Sequence, residues 1–236
     1  LALLTLVANQ IGEPFLPDGG LADLDTTTTA LESLAQLLES CHPASLSSNP
    51  IELLELLTNT DELSYLPITF GYVTYATPGV RRHPASFDAL PRGPRGSAGG
   101  VLGGAGLGIS ASSKHLAQAA AFASFVASPT VQAGAYTVGG GQPGHRSAWL
   151  DPGVNRHHGD VCAATWNGID ESYLRPRWPG YLSAQTAAAK AVHAWLTDRH
   201  TPAAAVVRTL DALFSTTFAS SVSQLANLNP NSFSTY

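Results

Sequence analysis

Three short segments of this chain have the residue pattern of a buried β-strand, and the other patterned segments are helical. Residues 1–8 form a dense apolar run, residues 63–75 carry aromatic and β-branched side chains, and residues 102–110 form a Gly-rich apolar run. Aromatic and β-branched residues favour strands, whereas apolar residues spaced three and four apart favour helices. So few strands do not make an independent doubly wound sheet. The pattern therefore predicts an α/β fold that takes part of its sheet from polypeptide outside this sequence.

Start and stop signals place the helices along the chain. Asn49 and Pro50 supply an N-cap and a first-turn proline for the segment that follows them. Ser128 and Pro129 open another helix, which should stop at the glycines of residues 139–141. Helices are expected at residues 30–40, 51–58, 114–126, 129–138, 160–169, 181–197 and 202–218, and loops at residues 78–104, 142–158 and 173–179.

Charged residues are scarce, and this limits the partners the chain can have. They make up 12% of the chain, against about 25% in an average soluble protein, and the net charge is −5. No run of Lys and Arg could neutralise a row of phosphates, so nucleic acid is not an expected partner. Apolar stretches such as residues 117–127 are shorter than the roughly 20 residues of a membrane-spanning helix. The composition predicts a soluble chain with a processed or truncated start and a small neutral partner.

Motifs for nucleotides and metals are weak. The glycines of residues 104–108 are too few for a dinucleotide fingerprint, and no Gly-Lys-Ser/Thr follows the glycines of residues 139–144. The His, Asp and Cys residues between positions 157 and 162 lack the second ligand cluster that a structural zinc site needs. We therefore expect no cofactor and no metal.

Catalytic motifs are equally weak. The chain has no Gly-x-Ser-x-Gly elbow and no pair of carboxylates in an apolar setting. We therefore predict no catalytic residue. A hydrolase that uses Glu13 with Asp170 or Glu171 is a less favoured alternative. Cys41 and Cys162 could form one disulfide or remain two thiols, since sequence does not give the distance between them.

Two loop segments concentrate side chains that suit polyols. Amide and guanidinium groups donate hydrogen bonds to ring hydroxyls, and aromatic faces pack against sugar C–H surfaces. The alternative is structural: the arginines cap helix ends or pair with acidic neighbours, and the tryptophans are core residues. The side chains are Gln142, His145, Arg146 and Trp149 in the first segment and Tyr173, Arg175, Arg177, Trp178 and Tyr181 in the second.

Several motifs in order resemble the family 1 extracellular solute-binding proteins. They are Gly-Glu-Pro-Phe at residues 12–15, Asn-Pro-Ile at residues 49–51, the Tyr-x-Pro-x-x-Phe-Gly-Tyr segment of residues 65–72, and the Gly-Gly to Ser-Pro helical unit of residues 103–132. The runs GGQPGHRSAW and YLRPRWPGY, at residues 140–149 and 173–181, are similar to a subgroup of that family. The resemblance covers most of the chain.

The resemblance implies a periplasmic-binding-protein-like (type II) fold with two lobes, each an α/β layer structure, that close on a ligand. It implies that residues 1–98 form the first part of the second lobe and residues 99–150 a crossover and a segment of the first lobe. Residues 151–219 would return to the second lobe, residues 220–236 would be a tail, and the N-terminal part of the first lobe would be absent. The ligand-contacting residues implied by position are Asn9, Glu13, Phe70, Tyr72, Gln142, His145, Arg146, Arg177, Trp178, Tyr181 and Gln185.

The function implied is that of the extracytoplasmic substrate-binding component of an ABC import system. The expected ligand is a sugar held between the lobes, and the arginines leave an acidic ligand such as a uronate or carboxylate as an alternative. The resemblance also implies ABC permease subunits as partners, a monomeric state, and a periplasmic or extracellular location with or without a lipid anchor. A sensor subunit that reports the ligand to a receptor has the same sequence signature.

Overall fold

The computed structural model describes residues 1–227, with side chains described as far as Gln224. These residues fall into two compact units. Unit 1 contains Leu1–Leu46, Arg92–Val101 and the chain from Ser172 onward, and unit 2 contains Ser47–Pro91 and Leu102–Glu171. The assignment of segments to lobes stays a prediction.

Helices provide the regular structure of both units. A 3₁₀ turn (Val73–Tyr75) and a π-helical turn (Gln132–Tyr136) lie in unit 2. The α-helices are α1 (Ala2–Ile11), α2 (Leu24–Leu38), α3 (Ala44–Ser47), α4 (Pro50–Asn59), α5 (Leu116–Ala127), α6 (Pro129–Val131), α7 (Arg146–Trp149), α8 (Pro152–His157), α9 (Val161–Asp170), α10 (Tyr181–Thr197) and α11 (Ala203–Asn227).

Unit 1 is built from α1, α2, α10 and α11, which bury one shared apolar cluster. Asp23 caps α2 by accepting a hydrogen bond of 2.8 Å from the Thr26 amide, as its position before the first helical residue requires. The apolar stripe of α2 includes Leu31, which is fully buried. At the α10–α11 turn, the Trp195 indole donates to the Thr201 carbonyl at 2.7 Å, which fixes where the chain reverses.

Unit 2 has a smaller core of its own, formed by the 3₁₀ turn, α7, α8 and α9. Trp149 is buried in this core. Asn155, also buried, donates to the Trp149 carbonyl at 3.0 Å and accepts from the Ala163 amide at 2.7 Å, so it ties α7, α8 and α9 together. Helix α4 joins through Glu55, which accepts from the Tyr75 hydroxyl at 2.9 Å and pairs with Arg81 at 2.7 Å.

The α/β prediction is wrong. Residues 1–227 contain no sheet, only three isolated β-bridges: Phe15 with Leu21, Gly93 with Gly96, and Val101 with Tyr173. Residues 63–72 and 102–110 are irregular, and residues 1–8 belong to α1. A strand persists only where a neighbour supplies the other half of its hydrogen-bond ladder, and no segment in the described part of the chain does so here. In the first segment, the dense apolar run hid the helical spacing of Leu3 and Val7, which both face the core.

Two of the predicted helices have the expected start or bounds. Helix α4 begins at Pro50 behind a complete Asn49–Glu52 capping box, and α10 has the predicted bounds, Tyr181–Thr197. Residues 142–158 were predicted to be irregular but contain α7 and α8. Both cysteines are free thiols, and burial raises the pKa of Cys162 to about 11.

Candidate functional site

Unit 1 contains a groove of about 430 Å³ between the loop after α1 and the segment before α10. Four aromatic side chains and one carboxylate contribute to its walls. We call it the aromatic groove, and its lining residues are Glu13, Phe15, Leu16, Pro17, Gly19, Tyr173, Leu174, Pro176, Trp178 and Phe218.

Hydrogen bonds to backbone and to one side chain hold the loop after α1. Gly12 ends α1 with a φ of 88°, in the left-handed region that glycine adopts readily. The Leu16 amide then donates to the Gly20 carbonyl at 2.7 Å. The Leu21 amide donates to Asp211 of α11 at 2.8 Å. These contacts present Glu13 and Phe15 at the groove.

The opposite wall is fixed at both ends. The Tyr173 amide donates to the Gly100 carbonyl at 2.7 Å, and Tyr173 forms a parallel bridge with Val101. At the other end, Gly180 has a φ of 86° and leads directly into α10. Between these points the chain has prolines at 176 and 179, which restrict its backbone, so Trp178 is presented from a stiff segment.

Aromatic packing sets the shape of the groove floor. The Trp178 ring stands nearly perpendicular to the Phe218 ring at 5.7 Å and to the Tyr181 ring at 5.4 Å. Phe15 packs edge-on against Phe214 at 4.8 Å. Gly19 allows this arrangement, because a Cβ atom there would lie 2.4 Å from the Phe218 Cβ. The floor of the groove is therefore formed by aromatic rings that are already packed against one another at near right angles.

Glu13 is the carboxylate of the groove, and its side chain is exposed. Burial, the nearby Tyr181 and the Glu13 charge together raise the pKa of Tyr173, while Arg175 opposes them. Tyr173 is thus a neutral phenol at physiological pH. Chemically, the groove offers a hydrogen-bond acceptor beside aromatic rings, an arrangement that can hold a small hydroxylated molecule.

The predicted site residues of unit 1 divide between groove and scaffold. Glu13 and Trp178 line the groove, and Tyr181 lies buried beneath it. Asn9 is buried and donates to the Gly96 and Ala98 carbonyls at 3.0 and 2.7 Å. Gln185 accepts from Arg175 at 3.1 Å. Arg177 is exposed and does not line the groove.

In unit 2, several predicted residues make contacts within the unit. Gln142 accepts from the Val73 amide at 3.2 Å, and His145 caps α7 by accepting from the Ser147 amide. Arg146 lies over the Trp166 ring at 4.7 Å and pairs with Asp170 at 3.5 Å. Tyr72 is exposed, with its ring 6.4 Å from that of Tyr75. Phe70 is partly buried, and the close approach of its ring requires the missing Cβ of Gly103.

Sequence reasoning missed Phe15 and Phe218 as groove residues. Phe15 was noted only as part of the Gly-Glu-Pro-Phe motif, although its aromatic ring next to Glu13 was a usable signal. Phe218 lies on α11, four residues after the buried Phe214. Its contact with Gly19 joins parts of the chain that are far apart in sequence. No local sequence pattern predicts such a contact.

A second groove, in unit 2, has a volume of about 380 Å³. Its lining contains none of the predicted site residues, and its one aromatic ring is the imidazole of His83. It therefore lacks the flat apolar faces of the aromatic groove. Its lining residues are Leu57, Thr60, Asp61, Leu63, Ser64, His83, Pro84, Ala85 and Ser86.

Comparison with known proteins gives a likeness of fold. No protein-family model matches the sequence, and no curated protein matches it. Among solved structures, the chain is similar to maltose-bound T. maritima MalE3, with a TM-score of 0.72 and 18% sequence identity. The match covers 92% of this chain and 56% of MalE3, so the chain spans little more than half the length of that protein. This likeness shows a solute-binding-protein-like fold. None of the helices within residues 1–227 is long and apolar enough to cross a membrane.

Proposed function

We propose that this chain binds a small polar solute as the substrate-binding part of an ABC import system, and that the solute is a sugar. The aromatic groove is the observation that carries the proposal. It combines the partly buried ring of Trp178 with the exposed carboxylate of Glu13 in one groove. Sugars are held by these two kinds of group.

The fold likeness supports the same class of function. The solved structure with a similar fold is named as a maltose complex, which makes a sugar the first ligand to test. Binding in such a protein needs no chemistry, so we propose no enzymatic activity. The location outside the cytoplasm, the permease partner and the monomeric state belong to the same proposal.

An acidic ligand receives less support from the contacts of the arginines. Arg146 is paired with Asp170, and Arg175 donates to Gln185. The groove itself is lined by Glu13 and by no arginine. A carboxylate ligand would therefore meet a like charge at this site.

Isothermal titration of the chain with neutral mono- and disaccharides and with glucuronate tests the proposal. We expect saturable binding of at least one neutral sugar and weaker binding of glucuronate. Trp178→Ala should reduce the affinity about fivefold, since stacking on one ring contributes roughly 1 kcal/mol. Phe122→Ala is the matched control, because Phe122 is an exposed aromatic residue of α5 in unit 2.

Two results would count against the proposal. The first is the absence of heat with every sugar in the panel, although circular dichroism shows a folded chain. The second is turnover of a chromogenic glycoside that disappears in Glu13→Gln, which would indicate a hydrolase. An unchanged affinity in Trp178→Ala would remove the groove from the site.

A further inference from the structure

Glu13 is the one charged residue that lines the aromatic groove. Of its ten lining residues, nine are apolar, aromatic or glycine, and none of the ten carries a positive charge. The Glu13 side chain has no hydrogen bond or ion pair with any other residue in the described range 1–227. An exposed carboxylate beside apolar walls is a site of negative potential.

Two arginines of unit 1, Arg95 and Arg175, have other acceptors, and Arg177 is exposed and does not line the groove. Arg95 approaches Gly12, next to Glu13 in sequence, but its Nη1 donates to the Ala8 carbonyl at 3.1 Å. Arg175, which follows the lining residue Leu174, donates to Gln185 at 3.1 Å. The carboxylate of Glu13 is therefore left to pair with a ligand.

The ring faces add to the preference for a positive group. The perpendicular pair of Trp178 and Phe218, 5.7 Å apart, forms a corner beside the Tyr173 phenol. Aromatic faces attract cations through their negative quadrupole and also pack against the C–H face of a sugar ring. A ligand that carries both features would use the carboxylate and the rings together.

We propose that the aromatic groove selects a sugar with a protonated amino group, with the ammonium paired to Glu13 and the sugar ring packed on Trp178. This inference rests on the proposed sugar-binding function and names its ligand class. A neutral sugar would use the rings and would form only ordinary hydrogen bonds with the carboxylate. A uronate would be repelled.

Three ligands of similar size separate these possibilities by calorimetry: glucosamine, N-acetylglucosamine and glucose. At a pH where the glucosamine amine is protonated, we expect it to bind about fivefold more tightly than either neutral sugar, which is the range of a partly exposed charge pair. The preference should shrink when NaCl is raised, because salt screens an exposed ion pair.

The variant Glu13→Gln should bring the affinity ratio of glucosamine to glucose close to one. Its matched control is Glu32→Gln, an exposed glutamate on α2 in the same unit, which should leave that ratio unchanged. Circular dichroism of both variants verifies that the chain is folded.

The outcomes separate the two proposals. If glucose binds as tightly as glucosamine, or if Glu13→Gln keeps the preference for the amine, the amino-sugar inference is wrong while sugar binding stands. If Glu32→Gln also removes the preference, the net negative charge and not the groove attracts the amine. If none of the three sugars nor a neutral disaccharide binds, the sugar-binding function itself is wrong.

Discussion

His158 shows how the contacts of a single residue set its protonation. The side chain is fully buried in unit 2, and its Nδ1 lies 3.2 Å from the Thr77 hydroxyl oxygen. The Thr77 hydroxyl donates its proton to the Val73 carbonyl at 2.9 Å, so towards the imidazole it accepts. The imidazole is therefore enclosed in unit 2 and shares a hydrogen bond with the Thr77 hydroxyl.

Burial of His158 predicts a loss of stability in mild acid. Burial, followed by the neighbouring His157, lowers the pKa of His158 in the folded chain, and the Gly141 backbone opposes this. Above about pH 6.5, the ordinary pKa of histidine, both folded and unfolded chains hold the neutral ring. Below it the unfolded chain takes up a proton first. The free energy of unfolding should then fall by up to about 1.4 kcal/mol per pH unit from this residue.

Urea unfolding at pH 7 and pH 5.5 measures this loss. The variant His158→Gln removes the titrating group and should reduce the difference between the two pH values, even if it lowers stability at both. His115→Gln is the control, because His115 is exposed in the same unit and should leave the difference unchanged. A wild-type free energy that does not change over this range would show that the fold does not lower the pKa of His158.

The sequence indicated which residues lie near the groove better than it indicated the hydrogen-bond partners of each residue. Glu13 and Trp178 do line one groove. Asn9, from the same set of predicted residues, is instead committed to the Gly96 and Ala98 carbonyls. A side-chain amide that hydrogen-bonds a distant loop cannot be told in sequence from one that binds a ligand. In neither case does a neighbouring residue identify the partner.

At the scale of elements, local chemistry decided which predictions were accurate. The start of α4 could be read from Asn49, Pro50 and Glu52, because all the groups of a capping box lie within four residues. The strands predicted at residues 63–75 and 102–110 depended on a partner that no local pattern can supply. Residues 63–72 and 102–110 are therefore irregular in the described structure, and residues 73–75 form a 3₁₀ turn.

The capping box of α4 carries a prediction of its own. The Asn49 side chain accepts from the Ile51 and Glu52 amides at 2.9 and 3.1 Å, and the Glu52 carboxylate accepts from the Asn49 amide at 2.9 Å. Asn49→Ala leaves these first-turn amides without their acceptor. The free energy of unfolding should fall by about 1 kcal/mol in a denaturant titration.

Gln118→Ala provides the comparison for that measurement. Gln118 is exposed within α5 of the same unit, and alanine is at least as good a helix former as glutamine. Its stability should match or slightly exceed that of the wild type. Equal stabilities for Asn49→Ala and Gln118→Ala would mean that α4 does not depend on its cap.

At the scale of the whole molecule, the apolar surface is unevenly distributed. Between residues 101 and 144 the chain carries one charged residue, Lys114. Helix α5 lies in this stretch and buries none of its residues. Phe122 and Phe125 are 63% and 60% exposed. In the described structure these rings contribute surface and not core, in contrast to the phenylalanines of α11.

This contrast predicts very different costs for the same substitution at two positions. Phe214 on α11 is 4% exposed and packs against Phe15 at 4.8 Å, so Phe214→Ser should lower the free energy of unfolding by about 3–5 kcal/mol. Phe122→Ser removes little buried area and should change it by less than about 0.5 kcal/mol. Denaturant titrations at two protein concentrations measure both. A large loss for Phe122→Ser that grows with concentration would show that α5 is covered by a second chain in solution.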